Sequence, residues 1–516
     1  MLRALRNTGR LIGIVRILAR HDALFPLEAV PGLPALRWFG RFLARIGRKR
    51  GRQQRPGLRL AAALQEMGPS FIKLGQTLAT RSDLLGEDVA ADLSTLQDRL
   101  PPFSSARARA TIEAELGQTL TALFASFDDR PVAAASISQV HFAETPEGVR
   151  VAVKVLRPGI EAAFARDLDL FDWIAETVEQ VQPQLRRLKP RAVVATFAAT
   201  VRAEMDLRLE AAAAAELSDN FVDYDGFRVP QVDWQRTARR VLTLERIDGI
   251  RIDDVAALKE AGHDTDMLLR QSAEVFFLQV FRDGFFHADM HPGNMFVDAD
   301  GVLRPVDFGI MGRLDVKTRY FLADMLLGFL NGDYRRVAEV HFQAGYVPAD
   351  QSIDDFMQAC RAIGEPILGR PVHEISVARL LAQLFQVTET FAMETQPQLL
   401  LLQKTMLVAE GVGRTLNPTL NMWELARPLI EDWMRAHRGP EARIRQAALD
   451  IGLIVERLPA LLGQIERAAD RLADPAGVKL HPDTAAALLR RRRNGAVALW
   501  PLWLALLLVS LAAVLY

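Results

Sequence analysis

His287-Ala288-Asp289-Met290-His291-Pro292-Gly293-Asn294, followed by Pro305-Val306-Asp307-Phe308-Gly309 and preceded far upstream by Val151-Ala152-Val153-Lys154, decides the reading of this chain. Phosphoryl transfer asks a protein mainly to position phosphates and neutralise charge. It needs a strand-borne lysine, an orienting carboxylate and oxygen ligands for Mg2+. Val151 to Val155 alternates and is β-branched, which suits a strand presenting Lys154 to nucleotide phosphates. Asp289 precedes Asn294 at the spacing in which the aspartate orients an acceptor and the asparagine holds a metal. Asp307, at the head of Asp-Phe-Gly, is the expected principal metal ligand. Each piece alone is weak, since a Val-Ala-Val-Lys run is usually a buried strand; their order and spacing carry the inference.

The expected fold is therefore α+β, a protein-kinase-like two-lobed fold binding ATP or ADP with Mg2+. Departures from an ordinary protein kinase are as informative as the matches. Where a glycine-rich loop would precede the lysine, the chain reads Val132-Ala133-Ala134-Ala135-Ser136-Ile137-Ser138-Gln139-Val140-His141, without a glycine. An alanine Cβ disfavours positive φ and keeps the backbone from approaching phosphates as glycine does. Ala288 stands where loop-phosphorylated kinases carry arginine, and a helix is expected to begin near Asp315, soon after Gly309. Little room is left for a peptide-docking segment.

At this point the chain resembles the UbiB (ADCK) atypical kinases associated with ubiquinone biosynthesis, from about residue 60 onward. The most specific marker is Lys73-Leu74-Gly75-Gln76, the K-x-G-Q motif of an N-terminal helical extension. The alanine-rich loop Ala133 to Ser136 and Glu204-Met205-Asp206, an E-x-D motif, follow. The resemblance implies that the extension folds over the site where a peptide would bind, with Lys73 facing Glu204 and Lys154 pairing with Glu210. It implies catalytic roles for Asp289, Lys154, Lys73, Glu204 and Glu210. Nucleotide would be held by Ala133, Ala134, Ala135, Ser136, Lys154, Gln76 and Asp206, and metal by Asn294 and Asp307.

The residues support this less sharply by themselves. On a helix, Ser70, Lys73, Gln76, Thr77, Thr80 and Arg81 share one side while Phe71, Leu74 and Leu78 share another. Such a polar stripe is ordinarily a solvated face; beside the phosphate motifs it reads as a pocket lining. Glu204, Asp206 and Glu210 are expected on one alanine-rich helix continuing through Ala211 to Ala215. His287, Asp289 and His291 alternate in a way that can bind a transition metal, but no further ligand pattern accompanies them.

Composition sets outer bounds. The chain has 516 residues, 50% of them hydrophobic, with 63 basic and 63 acidic side chains. That length implies more than one compact unit, and the balanced charge gives no signal for nucleic acid. The single cysteine, Cys360, excludes an internal disulfide framework and points to a reducing compartment.

The chain ends point to a membrane. Gly495 to Tyr516 carries no charge and as a helix would reach about 33 Å, enough to cross a bilayer core. Arg490 to Arg493 precede it, a flank that places the catalytic body in the cytoplasm at the cell inner membrane. One span or a short hairpin both fit. Met1 to Arg20 is arginine-rich and amphipathic, which reads as an interfacial helix on anionic lipid. The basic run from Arg41 to Arg59 reads as a linker that adds attraction to acidic headgroups.

The expected organisation is a basic amphipathic region over 1–60, the helical extension over 61–118, a kinase-like N-lobe with a helical insertion over 119–248 and a helical C-lobe over 249–440. An amphipathic linker over 441–494 and a transmembrane anchor over 495–516 complete it. Expected partners are nucleotide, anionic membrane lipid, and a ubiquinone precursor or its biosynthetic enzymes, with a homodimer left open. Three functions fit: an ATPase supporting ubiquinone biosynthesis, a kinase of a small lipid or phenolic molecule, and a nucleotide-sensing scaffold.

Overall fold

The structure, a computed structural model, describes residues 2–24, 55–79, 86–93, 96, 100–181, 190–366, 383, 386–388, 390–393, 396–417 and 422–438. The expected linker at 441–494 and anchor at 495–516 lie outside the described residues. Among the described residues, no helix is long and apolar enough to cross a membrane. The chain divides into two compact units, Met1–Met434 and Arg435–Tyr516; the first holds all the features below.

The chain opens with helix α1 (Leu2–Arg20), then α2 (Pro56–Met67), α3 (Pro69–Ala79) and α4 (Glu87–Leu93). A proline starts both α2 and α3, where its missing N–H is of no consequence, and Gly68 between them takes φ +106. Leu18, Ala23, Leu60, Leu64, Phe71, Leu93 and Leu96 form a shared core. Helix α1, expected as a separate membrane-facing lead, is thus built into the extension. Gly75 explains the glycine of the Lys-Leu-Gly-Gln motif: a Cβ there would fall 2.4 Å from Leu96 Cδ1 and 2.8 Å from Leu64 Cδ1. A Cβ would have to displace the tips of both leucines, so α3 seats closely on its neighbours.

Helix α5 (Ser105–Leu116) leads into an antiparallel sheet of β1 (Ser126–Phe127), β2 (Ala133–Ala134), β3 (Ser138–Glu144), β4 (Arg150–Leu156) and β5 (Val241–Glu245). The order runs β1-β3-β4-β5, with β2 pairing beside β1 on β3. The alternation in β4 works as expected: Val151, Val153 and Val155 pack with Ile112, Leu120, Leu123 and Phe124, which leaves Lys154 to the other face.

Between β4 and β5 come α6 (Ile160–Val181), α7 (Pro190–Glu204) and α8 (Leu207–Asn220). Their core joins Phe164, Leu168, Phe197, Val201, Met205 and Leu207 to Leu242 of β5. The single alanine-rich helix expected across Glu204 and Glu210 is in fact two. Met205 turns inward, 5% exposed, and Asp206 caps α8 by accepting the Arg208 N–H at 3.2 Å. A cap stabilises a new helix start by about 1 kcal/mol, enough to outweigh the alanine propensity that would carry one helix through.

The basic face of α1 meets α6. Arg3 pairs with Asp169 at 2.8 Å, Asp172 at 2.9 Å and Glu176 at 3.4 Å; Arg6 meets Asp169 at 2.5 Å and Arg10 pairs with Asp167. Arg55 and Arg59, from the basic run expected to face headgroups, pair with Asp92 and Asp22.

The second lobe begins with β6 (Ile250–Arg251), α9 (Val255–Glu260) and α10 (Thr265–Phe277), which passes into a π-turn at Leu278–Asp283. Strands β7 (Phe285–His287) and β10 (Met311–Arg313) pair with each other, and β8 (Met295–Val297) lies between β6 and β9 (Leu303–Pro305). Helices α11 (Val316–Leu330), α12 (Tyr334–Gln343), α13 (Ile353–Gly364), α14 (Pro397–Leu416) and α15 (Met422–Arg438) follow. Asp315 caps α11 as expected, accepting from the Thr318 N–H at 2.7 Å. The core of this lobe includes Phe276, Phe286, Phe308, Leu402 and Ile430, so α14 and α15 are integral to it.

Candidate active site

Lys154 sits at the centre of β4 in a cross-strand row. Val140 lies opposite on β3 and Leu242 opposite on β5, while Ala133 of β2 pairs with Val140. Residues in register share a face of the sheet, so the alanine loop lies two strands from the lysine on its own side. Lys154 Nζ donates to Glu210 Oε1 at 2.7 Å and to Asp307 Oδ1 at 3.0 Å. Three groups widely separated in the chain therefore meet in one cluster. Asp206 contributes at one remove, because the helix it caps carries Glu210 in its first turn.

Burial works against the lysine's charge, but Asp307 and Glu210 more than offset it and hold the ammonium above the usual lysine range. Burial pushes Glu210 up to about 7, with Lys154 opposing and the charge of Asp307 adding to the rise. The surrounding protein would also raise Asp307, although half of its side chain stays open to solvent, but Lys154 and the Gly309 N–H hold it well below the ordinary carboxylate range. The cluster carries two carboxylates against one ammonium, an excess of negative charge.

Asp307 adopts a left-handed backbone, φ 64, and its Oδ1 accepts the Gly309 N–H at 3.3 Å. Aspartate tolerates this region better than most residues because its side chain bonds locally. Its side chain is 51% exposed, open for a ligand. Asn294 sits in a short turn at Pro292–Asn294; its Nδ2 donates to the Asp289 carbonyl at 3.1 Å, which leaves the amide oxygen as an acceptor. The donor set is all oxygen and carries excess negative charge, which fits Mg2+ completed by phosphate oxygens and water. Such an ion would neutralise charge on the phosphates. Among the described residues, no group of three or more His, Cys, Asp or Glu side chains could hold a metal. His287 has both ring nitrogens engaged within the loop.

His287 braces the loop. It is 1% exposed, its Nδ1 accepts the Asp289 N–H at 3.2 Å, and its Nε2 meets the Val306 carbonyl at 3.4 Å. That pattern needs a neutral ring with hydrogen on Nε2. Burial lowers the pKa in the same sense, with Asp307 and Asp289 opposing. The His287 N–H donates to Gln279 Oε1 at 2.8 Å, a contact made from the π-turn.

The alanine loop is a hairpin. Ala133 and Ala134 pair with Val140 and Gln139, and the Ala135 N–H donates to Ser138 at 2.8 Å. The Ala135 carbonyl accepts from Arg157 Nη2 at 2.9 Å, and Ser136 is fully buried. On the extension, Lys73 Nζ meets Glu204 Oε2 at 3.0 Å, with Gln76 partly buried on the same helix. The two lysine–glutamate pairings implied by the resemblance are both present.

Sequence reading missed Arg157, Gln279 and Lys404. Lys404 Nζ on α14 reaches Asp289 Oδ1 at 3.0 Å, and Thr405 Oγ1 lies 3.2 Å from the Ala288 carbonyl and 2.9 Å from that of Leu401, its one proton serving either. The available signal was a charged residue set in Leu399-Leu400-Leu401-Leu402-Gln403-Lys404-Thr405-Met406-Leu407, where an apolar helix makes a lone lysine conspicuous.

Comparison with known proteins agrees with this geometry. Residues 95–341 match the ABC1 atypical kinase-like domain, and residues 360–421 match the UbiB helical domain. A Marinobacter nauticus protein named probable protein kinase UbiB is 46% identical over 409 residues, covering 78% of this chain and 75% of its own. Its Xanthomonas axonopodis pv. citri namesake is 44% identical, covering 89% and 84%, and that of Pseudomonas putida 41%, covering 94% and 89%. Among solved structures, Mycobacterium tuberculosis Rv3197 in complex with erythromycin has a TM-score of 0.51 at 24% identity, over 69% of this chain and 90% of that one. That likeness speaks to the fold alone. With the two family domains in order and relatives of this similarity along most of its length, the chain belongs to the UbiB family of atypical kinases.

Proposed function

We propose that this chain is an Mg2+-dependent, ATP-binding and ATP-hydrolysing enzyme that supports ubiquinone biosynthesis at the cell inner membrane. The observation that carries the reading is the convergence of Lys154, Glu210 and Asp307 within hydrogen-bond distance, beside a loop that carries Asp289 and Asn294. In this reading Lys154 holds the α- and β-phosphates, and the alanine hairpin covers the nucleotide with Gln76 and Asp206 nearby. Asp307 and Asn294 hold the metal. Asp289 takes the proton of the attacking oxygen as that oxygen bonds to the terminal phosphorus and the bond to the ADP oxygen breaks.

Hydrolysis is favoured over transfer to a protein by the short path from Asp307 to α11. Strand β10 occupies 311–313 and the helix begins at Val316, so no peptide platform intervenes. A second reading, transfer to a small lipid or phenolic hydroxyl, is compatible with the same space, and the tight His291-Pro292-Gly293-Asn294 turn favours it. A scaffold without chemistry would have no need of Lys154, Asp289, Asn294 and Asp307 together. The uncharged stretch 495–516 behind Arg490–Arg493 supports attachment to anionic membrane, with the catalytic body in the cytoplasm.

The test is made in cells lacking their own copy of the gene. The parent chain should restore ubiquinone, and Asp307→Asn, made at the same level, should not. Full restoration by the variant would remove the enzymatic reading.

A further inference from the structure

The catalytic loop is gripped by two consecutive residues of α14. Lys404 binds the Asp289 carboxylate through Oδ1, and Thr405, 1% exposed, shares its one hydroxyl proton between the Leu401 carbonyl of its own helix at 2.9 Å and the carbonyl of Ala288 at 3.2 Å. Asp289 lies in the segment matching the kinase-like domain, and Lys404 lies in the segment matching the helical domain. Packing reinforces the grip: Met290 and Met295 line a small cavity with Ala409, Val412 and Gly413 of α14.

The lysine contributes little to stability. Its side chain is 43% exposed and that of Asp289 26%, and an ion pair so open to water is worth about 0.2–1 kcal/mol. Its geometric effect is larger. A carboxylate on a loop can rotate about χ2 and present either oxygen. With Oδ1 held by Lys404, the carboxylate plane is biased and Oδ2 is the oxygen left for the reacting hydroxyl or water; the Asp289 backbone is held separately, its carbonyl accepting from Asn294 Nδ2. His291 Nε2 stands 4.0 Å from that oxygen, beyond hydrogen-bond range. The logic is that of a base oriented by a third group.

We propose that Lys404 is a positioning residue for Asp289, so that the helical domain completes the catalytic site of the kinase-like domain. This rests on the phosphoryl-transfer reading above. The kinase-like segment holds Lys154, Glu210, Asp289, Asn294 and Asp307, but by itself leaves the carboxylate of its base free to turn. In this assignment the lysine acts through Asp289.

The experiment uses the full chain and compares Lys404→Met, Lys404→Arg, Asp289→Asn and the Lys404→Met/Asp289→Asn double variant. ATP hydrolysis and nucleotide affinity are measured for each. Lys404→Met should lower kcat roughly 10- to 100-fold, the range seen when a partner that orients a reacting group is removed. Nucleotide affinity and the thermal midpoint should stay within error of the parent, and Lys404→Arg should recover most of the rate. In the Asp289→Asn background, Lys404→Met should have no further effect, as expected of two residues acting as one unit. An unchanged kcat in Lys404→Met, or a full additional loss in the double variant, would overturn the assignment. A parent chain that binds nucleotide without turning it over would instead remove the proposed function, and this inference with it.

Discussion

Two lysine–glutamate pairs at nearly the same distance do different work in this protein. Lys154 and Glu210 stand 2.7 Å apart, Lys73 and Glu204 3.0 Å apart, and all four side chains are at most 16% exposed. Around Lys154 the neighbouring group is a further carboxylate. Lys154 also meets Asp307, so its cluster has one carboxylate in excess and Glu210 is pushed up to about 7 by burial, helped by Asp307. Such a cluster is balanced either by a proton on Glu210 or by a bound cation. Lys73 and Glu204 join α3 of the extension to the end of α7. The first pair carries the proposed ligand chemistry, and the second ties one element to another. Distance and burial alone do not distinguish them.

That contrast is broken or sharpened by substitution. The largest effect is expected at Lys154→Ala, which removes the cation for the phosphates and leaves Glu210 and Asp307 facing each other. ATP hydrolysis should fall on the order of 10^2- to 10^3-fold or more, as when a group stabilising transition-state charge is lost; a steady-state assay decides it, and a rate near the parent's would dissolve the distinction. Lys73→Met should act on the fold. Removing the cation that faces Glu204 costs about 1–3 kcal/mol, read as a lower denaturant midpoint and faster hydrogen exchange in α3. Adding Glu204→Leu should recover much of that loss, because two apolar groups replace the pair. No recovery would mean that the pair contributes chemistry as well as attachment.

The smallest effect is a pH dependence in the sheet beside the alanine loop. His141 is fully buried, its Nδ1 donates to the Asp128 carbonyl and its Nε2 accepts from Gln139 Nε2, both at 2.8 Å. Burial depresses its pKa from the ordinary 6.5, with Asp128 opposing. The unfolded chain then binds more protons than the folded one below about pH 6.5, so stability declines as pH falls through that value. The parent's unfolding midpoint should drop between pH 7 and pH 5, and His141→Gln should flatten that slope. Equal slopes would show that the ring is not held neutral.

Much of the site was legible in the chain because its chemistry is written in local strings. Val151 to Val155 reads as a strand because β-branched alternation has no competing helical period, and β4 follows it. Asp289 and Asn294 read as partners because a tight turn fixes their spacing. The break between α7 and α8 was hidden: alanine propensity runs straight through Ala211, whereas the cap at Asp206 and the inward turn of Met205 depend on tertiary packing. The arginines of α1 read equally well as facing lipid or carboxylate, and only the fold brings Asp169 and Asp172 beneath Arg3. Lys404 lies more than a hundred residues beyond Asp289 and belongs to no motif, so nothing local marks their contact. Long-range pairing of single charges is what sequence patterns carry least.

The most direct measurement is ATP hydrolysis by the purified full chain with Mg2+ on vesicles containing anionic lipid, run beside Asp307→Asn. The account predicts turnover by the parent that disappears when Mg2+ is chelated and falls to background in the variant, although the variant unfolds at a similar midpoint. Equal turnover in the two proteins, or none by the parent under any of these conditions, would contradict it.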